Sequence, residues 1–150
     1  MFLRVSAVIA AILMLPGVAH AQDWRLTSME ENRESVFFLD VSSIEKTGAS
    51  ARGTIFLVLT EAENGIGAIE ADVEFECASG RRRFLTLRAY DSQEQPERSF
   101  ESPGEWEPTE RNTQFSVVWD MMCGTMPLNE RSYGAKPPFD AAREIRAMRD

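Results

Sequence analysis

Between Glu70 and Cys77 the chain reads EADVEFEC, an unbroken alternation of acidic with small or apolar residues. A period of two marks a strand with one face on a core and the other in water. Ala71, Val73, Phe75 and Cys77 then point one way, and Glu70, Asp72, Glu74 and Glu76 the other. Ala78-Ser79-Gly80 follows as a three-residue hairpin loop, and Arg81 to Tyr90 as the returning strand. In that register Val73 faces Leu85 and Ala71 faces Leu87, while Glu76 meets Arg82 and Glu70 meets Arg88. A register one residue shorter sets Glu74 and Asp72 against leucines, so the three-residue loop is expected.

The neighbouring segments extend the sheet. Trp24 to Met29 reads as a short first strand. Val36-Phe37-Phe38-Leu39 reads as a second, ending at Asp40, with a helical turn or tight bend over Asp40 to Ile44. Thr54 to Thr60 (TIFLVLT) is apolar on both alternating faces, the pattern of a central strand covered on both sides. Glu61 to Gly67 is a loop centred on the turn pair Asn64-Gly65, and Glu97 to Glu101 is a weak last strand. Thr109 or Thr113 caps a helix reaching Met122, with Phe115, Val118 and Met122 on one stripe, Trp119 beside them and Gly124 as the stop. That helix covers one sheet face. Val36, Phe38, Phe56 and Val58 make a second apolar face, left to the C-terminal segment, a partner or a second subunit; a homodimer is the expectation.

Met1 to Ala21 has the form of a cleaved export signal. Arg4 precedes the apolar run Val5 to Leu15, Pro16-Gly17 breaks it, and Ala19-His20-Ala21 supplies a small-x-small cleavage site before Gln22. The run is shorter than the ~20 residues that span a bilayer. The expected organisation is a signal peptide over 1–21, an α+β domain over 22–126, and a linker with a short C-terminal helix over 127–150. The mature chain is expected to have no membrane span and, with no cysteine at its start, no lipid anchor. Its expected location is periplasmic or extracellular. Removing Arg4 takes the net charge from −8 to −9, which argues against nucleic acid as a partner. The two cysteines, Cys77 and Cys123, read as a disulfide in that oxidising setting, tying the helix to the sheet.

His20 is the only histidine and leaves with the signal, so histidine-dependent nucleophile systems and imidazole metal sites are excluded from the mature chain. No Cys-x-x-Cys, phosphate loop or Gly-x-Ser-x-Gly is present. A carboxylate pair among Glu70, Asp72, Glu74 and Glu76 would lie on a solvated strand face, without the burial a general acid needs. Glu61, Glu63 and Asn64 lack the spacing of a calcium loop. No cofactor and no metal are expected. Arg81, Arg82 and Arg83 with Arg88 form the one basic cluster; it contacts a partner or pairs across strands with the glutamates. Trp106, in a loop between prolines, is a lid over the core or an exposed binding anchor.

These residues, in order, resemble the surface-adhesin protein E family of Gram-negative bacteria. The likeness begins at Trp24 and runs through Phe38-Leu39-Asp40 with Ser43-Ile44, Glu76-Cys77 with arginines following, and Tyr90-Asp91. It ends with Trp106, a proline and a helix reaching Cys123. The resemblance implies a single antiparallel sheet of about six strands, with a C-terminal helix packed on one face and tethered by the disulfide. It also implies an exported, non-enzymatic protein that binds a protein partner, with the basic stretch after Cys77 in a binding region. A small periplasmic accessory factor, an inhibitor or a carboxylate-based enzyme is the alternative.

Overall fold

The computed structural model describes residues 21–30, 35–101 and 104–148. All of the expected signal except Ala21 lies outside them. Six strands follow one another as an antiparallel meander: β1 (Trp24–Met29), β2 (Ser35–Thr47), β3 (Ser50–Glu63), β4 (Ile66–Glu76), β5 (Arg81–Asp91) and β6 (Pro96–Glu101). A two-residue strand, β7 (Glu107–Pro108), pairs with the hairpin end of β5. Two helices follow, α1 (Gln114–Cys123) and α2 (Phe139–Ala147). The α+β class and the antiparallel sheet are thus as the alternation and the resemblance imply.

The turn pair Asn64-Gly65 closes β3 onto β4 with φ of 50° and 84°. Two consecutive left-handed residues match the right-handed twist of a tight hairpin. Residues 40–44 do not form a helical turn. β2 continues through them with a register shift between Asp40 and Glu45. Ser43 makes this possible: its hydroxyl donates to the Asp40 carbonyl at 2.6 Å and accepts the Thr54 N–H at 2.8 Å. Backbone groups released by the bulge therefore keep partners.

The β4–β5 hairpin also departs from expectation. Its turn has four residues, Cys77 to Gly80, and near it Glu76 pairs with Arg81, Phe75 with Arg82 and Glu74 with Arg83. Glu76 therefore does not meet Arg82, and Val73 faces Phe84 instead of Leu85. A register shift at Leu85 then restores the expected pairs Ala71 with Leu87 and Glu70 with Arg88. The bulge takes Leu85 out of the ladder, so Asp72 faces Thr86 and no acid lies against a leucine. Gly80 explains the longer turn. Its φ is 68°, and a Cβ there would lie 2.4 Å from the Trp119 ring, so the turn is pressed directly onto α1.

Two apolar clusters lie on opposite faces of the sheet. On one, Leu39, Ile55, Ala71, Val73 and Phe75 pack under Val118, Trp119 and Met122 of α1. Thr113 caps this helix in a reciprocal box with Ser116, and Gly124 ends it at φ 82°. The Cys77–Cys123 disulfide, with Cα atoms 5.6 Å apart, fastens its last residue to the end of β4. On the other face, Trp24, Val36, Phe38, Phe56, Val58 and Ala68 pack under Ala141, Ala142 and Ile145 of α2. The approach to α2 also closes the β1 edge. Trp24 N–H donates to the Gly134 carbonyl at 3.1 Å, and Tyr133 N–H to the Trp24 carbonyl at 2.8 Å. The second apolar face, from which self-association is expected, is thus filled by the chain's own C-terminal segment. Among the described residues no helix is long and apolar enough to cross a membrane.

Candidate binding face

Beyond the edge of α2 the same sheet face turns polar. The alternation in β4 sends Glu70, Asp72, Glu74 and Glu76 to this side, between β3 with Arg52 and Thr54 and β5 with Arg81, Arg83, Thr86 and Arg88. The acids thus form one column and the β5 arginines the next. Arg81 pairs with Glu76 at 2.9 Å and Arg83 with Glu74 at 2.7 Å. Arg88 reaches both Glu70 at 3.0 Å and Asp72 at 3.3 Å. Hydrogen bonds first from Ser79 and then from Arg81 hold the Glu76 carboxyl below its ordinary value. Asp72 also accepts the Thr54 hydroxyl at 2.7 Å and that of Thr86. Tyr90, at the border with α2, donates to Glu70 at 2.7 Å. Its phenol is pushed up to about 12, by burial first and by this hydrogen bond second.

Trp106 stands just before β7, alongside Arg83. The Arg83 guanidinium lies 4.6 Å from the centre of its ring and that of Arg81 lies 5.7 Å away. Trp106 is half-buried and belongs to neither apolar cluster, so it is no lid over the core. It forms the outer wall of the charged face, held by cation–π contact.

The structure divides the basic cluster. Arg81, Arg83 and Arg88 share the charged face, while Arg82 turns to the α1 side. There it lies 4.6 Å from the Phe115 ring and donates to the Pro108 carbonyl at 2.9 Å. The cause is the longer hairpin turn, which places Arg82 opposite Phe75. Cys77 and Cys123 are brought together as expected; Arg82 and Trp106 lie on different sides of the sheet. Acidic partners neutralise the β5 arginines, so the face is a mixed-charge lattice and not a basic patch. Residues 70–76 supply half of it. Their strict alternation was the signal for them, although nothing in it marks them as part of a binding face. Among the described residues no group of His, Cys, Asp or Glu is arranged to hold a metal ion.

An open antiparallel meander with a disulfide-tethered helix on one face defines a small scaffold that displays a sheet surface. The model of the Surface-adhesin protein E family matches residues 24–124, and the chain belongs to that family. Among solved structures it is similar to Haemophilus influenzae protein E in crystal form II. That likeness has 14% identity and a TM-score of 0.50, and covers 77% of this chain and 98% of that one. Comparison with curated protein sequences finds no match.

Proposed function

We propose that the protein is exported and works without catalysis, binding a protein partner through the charged face bounded by Trp106. One observation carries this reading: a half-buried tryptophan is stacked on Arg83 within an ordered ladder of ion pairs. Trp and Arg are the residue types that most often dominate binding energy, and an immobilised pair loses little freedom on contact. Membership of the adhesin family supports a binding role, and the sequence of residues 1–21 supports export. Arg82 supports the face from behind, fixing β7 through Pro108.

The test is affinity capture from the native envelope with the mature chain, beside Trp106→Ala and a triple alanine variant of Arg81, Arg82 and Arg83. A partner retained by the wild type and lost by both variants is the expected result. Unchanged recovery of every partner removes this face from consideration. Because each β5 arginine already has an acid, capture is expected to weaken only slightly between low and physiological salt.

A further inference from the structure

The α2 side of the sheet ends in an open cleft of about 220 Å³, between α2, the far end of β3 and the β5–β6 turn. Val58, Leu59, Ala62 and Phe139 give it an apolar lining. Among the described residues four charged groups border it, and three are already engaged. Arg143 is paired with Glu94 and also with Asp140. Asp91 accepts the N–H groups of Gln93 at 2.8 Å and Gln95 at 2.9 Å and so holds its own turn.

Arg146 is different. Its one hydrogen bond among the described residues is from Nη2 to the Val58 carbonyl at 2.8 Å, and its Nε is buried without a partner. Among the described residues no carboxylate reaches it. A guanidinium carries five N–H donors in a fixed fork, so most of this one is uncommitted. Burial also pushes its pKa below the ordinary value, the mark of a cation without a counter-charge.

We propose that this cleft binds a small monocarboxylate, its carboxylate on Arg146 and its short apolar body on Val58, Leu59 and Phe139. A planar carboxylate suits the guanidinium fork. Asp91 and Glu94 at the rim disfavour a dianion such as phosphate. The volume lies below the roughly 300–1,000 Å³ of drug-sized sites, which limits the occupant to a few carbons or to the end of a peptide. The site is separate from the Trp106 face and does not depend on it.

The test is an NMR titration of the mature chain with butyrate, butyramide, and acetyl-Ala-Ala as free acid and as amide, against equal sodium chloride. Saturable shifts at the Arg146 side chain and Phe139 with an acid, and none with the matching amide, are expected. Binding of butyrate alone identifies a free acid as the source; binding of the peptide acid alone identifies a chain end. Arg146→Gln should weaken binding at least tenfold. Ala62→Glu, which leaves α2 untouched and puts a carboxylate at the cleft, should abolish it. Shifts equal to those of the salt control, equal shifts with the amides, or undiminished binding in both variants would overturn the proposal.

Discussion

The two helices perform the same task on opposite faces of one sheet, yet they are secured by different means. α1 has a side-chain capping box, a left-handed glycine at its end and a disulfide to β4. It buries Val118, Trp119 and Met122, among them the largest side chain of the helix. α2 starts at Pro138 without a side-chain cap and buries two alanines and Ile145. Its ion pairs are solvent-facing, such as Arg131 to Glu144 at 3.0 Å, where they contribute little. Nine residues do not hold a helix in water without tertiary support. One face of the sheet is therefore locked, while the other is closed by a segment whose order depends on its docking.

The largest effect expected from breaking this contrast comes from the lock. Changing both Cys77 and Cys123 to serine should cost about 4 kcal/mol, the chain-entropy value for a loop of this span. Urea unfolding of the oxidised wild type and the double variant measures it; a change below ~1 kcal/mol would mean that α1 is held by packing alone.

Next is Ile145→Ala on α2, expected to cost about 2 kcal/mol, the low end for this truncation, because loss is capped by undocking of α2. Hydrogen exchange should show α2 amides opening well before those of α1 in the wild type, and freely in the variant. Simultaneous exchange of both helices would erase the distinction. Thr113→Ala removes the α1 cap and should cost about 1 kcal/mol by the same urea assay.

The smallest effect is a pH signature of the α2 side. Tyr90 lies with its ring 5.6 Å from that of Phe139 of α2, and burial pushes its phenol up to about 12. A folded value above the ordinary 10 means that its contribution to stability is complete below about pH 10 and is lost as pH rises through 12. Ultraviolet titration should place Tyr90 near 12 in the wild type and closer to 10 after truncation at Pro137. An unchanged value in the truncated chain would show that Glu70, not α2, sets it.

Much of the fold was legible because its signals are local. The alternation of 70–77, the Asn64-Gly65 turn, the cap at Thr113 and the stop at Gly124 each act within a few residues. The misread segments depended on distant ones. The extra residue in the Cys77–Gly80 turn answers to Trp119, some forty positions away, and the bulge after Asp40 answers to Thr54 on the next strand. The candidate face shows the same division. Its acids and arginines were visible as residue types, and the Glu70–Arg88 pair followed from register. The removal of Arg82 to the other side, and the stacking of Trp106 on Arg83, follow from a bulge and an edge strand that carry no strong pattern.

Local signals in the chain were enough for an antiparallel sheet and a helix stapled to it by the only two cysteines. These follow from periodicity, cap chemistry and residue inventory, which need no knowledge of what lies across the molecule. That α2 fills the second apolar face, and that the basic cluster splits around the sheet and is neutralised, came only from long-range packing. That packing also left Arg146 half-buried beside its cleft, with no carboxylate paired to it among the described residues. Each of these depends on which distant surfaces meet, and burial and pairing are set by the contact partner, not by the local chain.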